Sequence, residues 1–435
     1  MAAYTDANIR ITAMLESKVF TAKDPIAKDF IFGSYVGEYY QNQVFQKIDR
    51  IDSKGENSIL FKLPKQNIYY GRLMFESSVQ DDRGKYVSSQ AYADYAGVDR
   101  FVGLKTKDWI FETRKPANID YLVTDELGKP VVGTKVAITI EKQETKAAKV
   151  KSAGNSYLTE FTNHWVPKGG CTGDSQNVSN ICEFNPKEPG YYRAIASIKD
   201  TKGADHSTNI YMYVVGNGHV LWNEPNDYSL EIIPEKSTYK VGDKARYLIK
   251  NPYPNAQALI TIERYGVIDH FVQTLEGSTP VIEFEIKPDY IPGFYLSVVV
   301  FSPRVDQPIE GQLDLGKPSF RIGYLTVPIK DPYKEILVTA KTDHQVYKPR
   351  DRVKLTLHAE PKFKDKKEPI ERAVVVIDES VFDLVAGGKS YFDPYEGFYN
   401  LDGLDLRNYS LLTRLVGRQK FEKKVQTLEV TVVLI

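Results

Sequence analysis

A phrase that occurs twice in the sequence limits the folds this chain can adopt. YKVGDKARYLI (Tyr239–Ile249) recurs as YKPRDRVKLTL (Tyr347–Leu357). In both copies a corner with Gly or Pro precedes residues that alternate between apolar and polar, the period of a strand with one buried face. Each copy therefore predicts a turn that leads into a strand of a sheet covered on one side. The residues predicted to be buried are Ala245, Tyr247 and Ile249 in the first copy, and Val353, Leu355 and Leu357 in the second.

Other strand-like phrases also recur along the chain. Apolar residues that alternate or run together after a turn are typical of β-strands. Units of about 100 residues, built of short strands separated by turn residues, predict β-sandwiches in tandem. The related phrases are ALITIER (Ala258–Arg264), AVVVIDE (Ala373–Glu379), VAITIEK (Val136–Lys142), EPGYYRAIASI (Glu188–Ile198), IPGFYLSVVVF (Ile291–Phe301) and, less closely, IYYGRLMFESS (Ile68–Ser78).

The predicted fold class is all-β: a tandem of fibronectin- or immunoglobulin-like β-sandwich domains with an irregular C-terminal segment. Stretches with Gly, Pro and polar residues indicate linkers at Ala93–Phe101, Gly216–Asp227 and Ile329–Glu335. The predicted domains are residues 1–100, which fit the pattern loosely, 101–217 with the two cysteines, 226–330, and a partial domain at 334–424, followed by an atypical tail at 425–435.

Composition limits the partners of the chain. Its 435 residues include 57 basic and 57 acidic ones, and this balance argues against a nucleic-acid or anionic-membrane partner. The apolar runs are far shorter than a segment that crosses a bilayer. The stretch MAAYTDANIRITAML lacks the basic start, long apolar stretch and cleavage site of a secretory signal, so it does not itself indicate export.

Two cysteines, Cys171 and Cys182, flank the polar, glycine-bearing stretch CTGDSQNVSNIC, which we interpret as a loop. A disulfide that closes this loop would suit an oxidising compartment. Two free thiols are the alternative. A zinc site is disfavoured because no second Cys or His pair has the spacing of zinc ligands.

Residues that could carry catalysis are scarce. Three Asp-His pairs occur, Asp205–His206, Asp269–His270 and Asp343–His344, but adjacent residues on a strand face opposite sides, which predicts ordinary polar residues rather than catalytic dyads. The acidic stretch TDELGKPVVG (Thr124–Gly133) does not have EF-hand spacing and predicts a turn. Nucleophile-elbow, Walker, zinc-protease and dinucleotide-binding motifs are absent. We therefore expect no catalytic residue, no metal, no cofactor and no enzymatic activity.

The segment after AVVVIDESVFDLV (Ala373–Val385) loses the strand period. It mixes aromatic, aliphatic and basic residues, and a long irregular segment is commonly functional or disordered. A mobile stretch of this composition is open to diverse proteases. A partly helical wrap over Leu404–Val416 is the alternative, because LDLRNYSLLTRLV has apolar residues at helical spacing. The candidate cleavage positions are Arg407, Arg414, Arg418 and Lys420.

Taken together, these residues resemble the bacterial alpha-2-macroglobulins. The resemblance rests on Y-K-x-x-D-K-A-R, ALITIER, PGFY, YKPRDRVKLTL and AVVVIDESVFDLV followed by FDPYEGFYN, and is most specific from Tyr228 to Lys424. It implies macroglobulin domains of a broad-range endopeptidase inhibitor, which traps a protease after that protease cuts an exposed bait region. It also implies that Asp378 and Glu379 end the strand before the bait-bearing insertion. Phe392–Lys424 would then be the approach to the bait, or its beginning.

The sequence departs from this family at the thioester. Many members bond to the protease through a Cys-x-x-Gln thioester, but Asp174 and Asn185 stand three residues after the two cysteines. No thioester is therefore expected, and we also expect this sequence not to include the family's C-terminal regions. The resemblance implies an internal piece of a longer inhibitor that does not complete a covalent trap alone. Endopeptidases would be its partners, together with a separately encoded C-terminal half that carries the thioester domain.

The tail VQTLEVTVVLI (Val425–Ile435) is more apolar than the Gly-rich stretch usual in the family, and a frameshift near Lys424 would explain this. The family places the full-length protein in the periplasm or cell envelope, although this sequence shows no export signal. The alternative function is a tandem immunoglobulin-like adhesin or binding module, whose sheets space a ligand-binding tip.

Overall fold

The computed structural model confirms the all-β prediction. Apart from a 3₁₀ helix at Pro288–Tyr290, the regular elements of the described residues are β-strands. The residues that the structure describes are 6–33, 40–63, 66–81, 83–151, 157–223, 228–253, 255–307, 316–331, 335–345, 347, 350–362, 374 and 401.

The strands are named in chain order. Those up to residue 215 are β1 (Asn8–Ser17), β2 (Ile31–Phe32), β3 (Gln41–Arg50), β4 (Tyr70–Gln80), β5 (Tyr86–Ala96), β6 (Phe101–Thr106), β7 (Ile110–Glu112), β8 (Ala117–Thr124), β9 (Lys135–Lys151), β10 (Tyr157–Asp174), β11 (Asn180–Phe184), β12 (Gly190–Lys199) and β13 (Asp205–Val215). The later ones are β14 (Ile232–Pro234), β15 (Tyr239–Lys240), β16 (Lys244–Ile249), β17 (Ala256–Glu263), β18 (Val267–Leu275), β19 (Val281–Glu285), β20 (Gly293–Ser302), β21 (Ser319–Lys330), β22 (Ile336–Thr342) and β23 (Leu355–Pro361).

The chain divides into two compact units. The first is Met1–Val150 with Glu160–Leu221, and the second is Lys151–Thr159 with Trp222–Ile435. The change of unit between residues 221 and 222 falls inside the stretch Gly216–Asp227, where the sequence indicates a linker. The predicted boundaries of the individual domains stay predictions.

The first unit begins with a four-stranded antiparallel sheet in the order β3-β1-β4-β5. A β-bulge interrupts the pairing of β1 with β3 between Ala13 and Met14. The outer strand β5 is exposed along most of its length, whereas Ala13 and Leu15 of β1 are fully buried. The weak sequence pattern of the first hundred residues thus corresponds to a sheet of which only part is covered.

A β-sandwich occupies the rest of the first unit. Its sheets have the strand orders β10-β9-β12-β13-β7 and β11-β8-β6-β2. Alternate residues of both sheets meet in one hydrophobic core, as the period-two pattern predicts. The short strand β2, from the first hundred residues, pairs with β6 in this sandwich, so the predicted domains 1–100 and 101–217 share a sheet. The core residues include Val102, Leu104, Ile119, Val123, Ile138, Ile140, Tyr192, Ala194, Ile210 and Met212.

A polar junction fixes the segment after β2 to this sandwich. His206 Nδ1 accepts a hydrogen bond from the Val102 amide (3.1 Å), and its Nε2 lies 2.9 Å from the Gly33 carbonyl oxygen. Thr208 Oγ1 donates to the Val102 carbonyl (2.6 Å) and accepts from the Gly33 amide (2.7 Å). Position 33 requires glycine, because a β-carbon there would lie 2.1 Å from the Ser207 carbonyl oxygen. Two inward side chains of β13 thus satisfy both main-chain groups of Gly33 and of Val102.

The second unit contains another β-sandwich. Its sheets have the orders β14-β16-β19 and β15-β21-β20-β17-β18. The predicted residues Ala245, Tyr247 and Ile249 are completely buried, and they face Ile260 and Leu296 among others in the core between the sheets. The first copy of the repeated phrase is therefore a one-sided strand, as the sequence predicts.

The structure explains why the tyrosine of the repeated phrase is kept. The Tyr239 hydroxyl accepts a hydrogen bond from the amide of Lys236 (3.2 Å), three residues earlier. The Tyr347 hydroxyl accepts the equivalent bond from the amide of His344 (2.9 Å). In both copies the ring thus folds back to cap the preceding turn.

The second copy differs from its prediction. Its strand, β23, begins at Leu355 rather than at Val353, and it pairs with β22 as a two-stranded sheet. Val353 is 54% and Leu355 38% exposed, so the predicted burial of these two residues is wrong. One-sided burial requires a second layer, and a two-stranded hairpin does not supply one.

The remaining repeated phrases lie in strands wherever they are described. ALITIER lies mainly in β17, VAITIEK in β9, EPGYYRAIASI in β12, IPGFYLSVVVF in β20 and IYYGRLMFESS in β4. Apart from Val374, AVVVIDE lies outside the described residues. The alternation of apolar residues was therefore a sound guide to strand positions.

Candidate functional site

The two cysteines are joined by a disulfide in the structure. Cys171 lies in β10 and Cys182 in β11, so the bond links the two sheets of the first unit's sandwich, with the α-carbons 5.9 Å apart. The interpretation of these positions as parts of a loop is wrong, because both are strand residues. Cys182 is 1% exposed and belongs to the hydrophobic core, against which Cys171 packs. The bond therefore holds the two sheets of the sandwich together.

Loss of this disulfide should lower the free energy of unfolding by about 3 kcal/mol, because the bond restricts a short loop of the unfolded chain. The measurement is urea denaturation of the wild-type chain with and without reductant. The variant Cys171→Ala/Cys182→Ala is the control and should unfold identically under both conditions. Wild-type stability that does not respond to complete reduction would contradict the prediction.

The Asp-His pairs have different environments, and one contradicts its prediction. His206 is completely buried between the rings of Tyr69 and Phe101, and burial lowers the pKa of His206 to about 4. It is therefore a neutral core histidine rather than an ordinary strand-end residue. His344 Nδ1 lies 3.4 Å from Asp343 Oδ2, but this pair is exposed in the turn after β22, where the strand geometry assumed for it does not apply.

The described part of the chain contains no group of three or more His, Cys, Asp or Glu placed to hold a metal ion. In TDELGKPVVG the carboxylate of Asp125 instead accepts the amides of Leu127 (2.9 Å) and Lys129 (2.8 Å), which makes a turn between β8 and β9. No described helix is long and apolar enough to cross a bilayer.

Most of the candidate bait segment lies outside the described residues. Arg407, Arg414, Arg418 and Lys420 lie outside the described residues, as do Asp378 and Glu379. Within Phe392–Lys424 the structure describes Leu401, which is partly buried. Leu401 Cδ1 lies 3.0 Å from the position that a β-carbon on Gly293 would take, so this leucine lies against the start of β20. The candidate segment thus has one described contact with the second unit's sandwich.

Arg264 organises the loop that leads to this contact. It directly follows β17, and its guanidinium donates hydrogen bonds to four main-chain carbonyl oxygens, those of Asp289 (2.8 Å), Tyr290 (3.1 Å), Ile291 (2.5 Å) and Gly293 (2.9 Å). A guanidinium carries five donors in a rigid plane, and one such group can therefore satisfy several carbonyls of a tight loop. We call residues 289–293 the clamped loop.

A second strand holds the same region. On β18, the carboxylate of Asp269 accepts hydrogen bonds from Lys287 Nζ (2.5 Å) and from the Tyr290 hydroxyl (3.1 Å). The hydrogen bond from Lys287 is the main cause that lowers the pKa of Asp269, whereas burial raises the pKa of Tyr290. The clamped loop is thereby fixed from both β17 and β18. Neither Arg264 nor Asp269 was identified in this role from the sequence.

Comparisons with known proteins find similarity to alpha-2-macroglobulins. Residues 230–384 match the family model of the alpha-2-macroglobulin bait region domain. The alpha-2-macroglobulin homolog of Nostoc sp. is 25% identical to the chain over 303 residues. The matched region covers 68% of this chain and 16% of that protein. The native conformation of Escherichia coli alpha-2-macroglobulin matches 84% of this chain and 23% of its own, with a TM-score of 0.36 and 15% identity. Salmonella alpha-2-macroglobulin reacted with methylamine matches 85% and 24%, with a TM-score of 0.36 and 14% identity.

The described fold is that of a β-sandwich protein. The sequence predicts a segment open to proteases after the second sandwich. The sequence matches then confirm the predicted resemblance to the bacterial alpha-2-macroglobulins. The chain spans 16% of the curated relative and about a quarter of the solved structures. Activities of a whole inhibitor are therefore matters of proposal for this chain.

Proposed function

We propose that this chain is part of a broad-range endopeptidase inhibitor of the alpha-2-macroglobulin type and that it presents the bait. The observation that carries the proposal is the match of residues 230–384 to the bait region domain, directly ahead of the candidate cleavage positions at 407–420. A protease-trap role agrees in general terms with this family. In this role the chain is a substrate and inhibitor of proteases rather than an enzyme.

The second unit's sandwich supplies a fixed end for the bait. Arg264 and Asp269 hold the clamped loop, and Leu401 lies against Gly293 at its end. An intact segment can hold a protein in one of two arrangements that have similar free energy. Cleavage of the segment removes this restraint and lets the protein change to the other arrangement. We propose that cleavage after Arg407, Arg414, Arg418 or Lys420 has this effect.

Retention of the attacker would need a further polypeptide segment. The bond between Cys171 and Cys182 supports the proposal that this chain supplies no thioester. We propose that a separately encoded C-terminal half supplies that chemistry, and that this chain is not a complete trap alone. A disulfide persists in an oxidising compartment, which supports the periplasm or cell envelope as the location.

Limited proteolysis tests the proposal. Trypsin, elastase and subtilisin at low concentration should each cut first within Phe392–Lys424 and leave both sandwiches intact, because folded strands resist cleavage. Mass spectrometry of the first products locates the cuts.

The matched variant replaces all six Arg and Lys residues of this segment by Gln, namely Arg407, Arg414, Arg418, Lys420, Lys423 and Lys424. It should delay the first tryptic cut at least about tenfold and leave the elastase cut unchanged. First cuts spread evenly over the linkers would contradict a bait and favour the adhesin alternative.

A further inference from the structure

The outer face of the first unit's larger sheet carries a cluster of aromatic rings that the core does not use. Tyr191 lies 5.5 Å from Tyr211 between ring centroids with nearly parallel planes, and 4.9 Å from Tyr213. Trp165 from β10 lies 5.8 Å from Tyr191 and 6.1 Å from Tyr211. Tyr211 is 53% exposed, and the other three rings are partly exposed. We call these four residues the aromatic surface.

Polar contacts hold the aromatic surface in one arrangement. The Arg193 guanidinium lies 4.3 Å from the Trp165 ring centroid, and its Nε donates to Glu141 Oε2 at 2.7 Å. The side-chain amide of Asn209 donates a hydrogen bond to the Tyr211 hydroxyl at 3.0 Å. A ligand would therefore meet rings that are already positioned, which reduces the entropy lost on binding.

The charges around the aromatic surface cancel. Arg193 pairs with Glu141 at 2.7 Å, and Lys199 pairs with Asp205 at 2.8 Å farther along β12 and β13 on the same face. Such pairs leave little net field to attract a polyanion or a charged peptide. The electrostatics of this face thus match an uncharged ligand.

The backbone of β12, the strand at the centre of the aromatic surface, offers nothing to a peptide strand. Tyr191 pairs with Tyr213, and Arg193 with both Tyr211 and Glu141, inside continuous antiparallel ladders. Strand addition requires an open edge with unpaired amides and carbonyls, which the middle of a sheet lacks. Recognition over β12 must therefore use side chains alone.

We propose that the aromatic surface binds a neutral glycan chain. Pyranose rings present C–H groups that pack on the electron-rich faces of aromatic rings, while their hydroxyls hydrogen-bond to neighbouring polar groups. Here Trp165 and Tyr211 supply the rings, and Arg193, Glu141 and Asn209 supply the polar groups. The same rings also form cross-strand pairs that stabilise the sheet, so the test must separate binding from folding.

Isothermal titration of the whole chain with uncharged hexasaccharides of N-acetylglucosamine and of glucose tests the proposal. At least one sugar should bind saturably, and Trp165→Ala and Tyr211→Ala should each weaken this binding at least about tenfold. Trp165→Phe keeps an aromatic ring and should retain most of the affinity. Urea denaturation of every variant shows whether the chain still folds. If Trp165→Ala does not fold, Tyr211→Ala, which removes a half-exposed ring, still tests the proposal.

Tyr92→Ala is the matched control. Tyr92 is also an exposed strand tyrosine, at 57%, with Arg72 over its ring and its hydroxyl bonded to Gln90, but it belongs to the first sheet. It should bind the sugar like the wild-type chain. The proposal is overturned if neither sugar binds at millimolar concentration, if Tyr92→Ala loses as much affinity as Tyr211→Ala, or if an uncharged proline-rich peptide binds this surface and the sugars do not.

Discussion

Arg264→Ala should lower the free energy of unfolding of the second unit by about 3 kcal/mol. The substitution removes four charge-assisted hydrogen bonds to the carbonyl oxygens of the clamped loop. Each such bond contributes about 1.5–3 kcal/mol when its acceptor has no substitute, but water can reach part of this half-buried site. Urea denaturation gives the stability, and hydrogen exchange of residues 289–293 gives the local effect.

Two further variants separate the geometry of Arg264 from its charge. Arg264→Lys keeps the charge, but one ammonium group cannot reach four carbonyls, so we expect a loss of about 2 kcal/mol. Arg246→Ala is the control, because the Arg246 side chain is 43% exposed and makes a two-bond pair with Glu235, and should cost about 1 kcal/mol or less. Equal losses for Arg264→Ala and Arg246→Ala would contradict a special role for the clamped loop.

The position of Arg264 also links this prediction to the proposed bait. If the clamped loop fixes one end of the segment through Gly293 and Leu401, Arg264→Ala should increase the rate of the first proteolytic cut within Phe392–Lys424. Arg246→Ala should leave that rate unchanged. A faster cut only in the linkers would show that the clamped loop does not support the bait.

Strand positions could be predicted from the sequence because they depend on local alternation. β16, β17 and β20 each carry apolar residues with period two, and burial of Ala245, Tyr247 and Ile249 follows from this period. The turn chemistry of the repeated phrase was local as well, since Tyr239 and Tyr347 bond to amides three residues earlier. The family resemblance depended on the order of such phrases.

Positions that depend on distant chain segments could not be predicted. Glycines near Cys171 indicate a loop, yet they lie in a strand because neighbouring segments approach closely: a β-carbon on Gly170 would lie 2.2 Å from the Ile138 carbonyl oxygen. Arg264 resembles any charged residue after a strand, and its partners follow 25 to 29 residues later. His206 and His270 follow an aspartate alike, but only the tertiary fold buries one of them.

The stability of the first unit should fall on acidification because His206 is buried as the neutral imidazole. Its Nδ1 must accept the Val102 amide proton, so the proton resides on Nε2 and is donated to the Gly33 carbonyl. Burial lowers the pKa of His206 to about 4 in the folded chain, against about 6.5 in the unfolded chain. Between these values the unfolded chain binds more protons, so the free energy of unfolding rises with pH. The contribution is complete above about pH 6.5 and is lost as the pH falls towards 4, and it amounts to about 2 kcal/mol between pH 7 and 4.5.

Two variants isolate this effect from the titration of carboxylates, which is common to all of the proteins compared. His206→Gln keeps a donor and an acceptor but does not titrate, so urea denaturation should show a pH dependence about 2 kcal/mol smaller than that of the wild-type chain. Thr208→Val removes hydrogen bonds to the same residues, Gly33 and Val102, without removing a titrating group. It should destabilise the unit by about 1–3 kcal/mol equally at both pH values. If His206→Gln retains the full wild-type pH dependence, protonation of this imidazole is not the cause of the loss of stability on acidification.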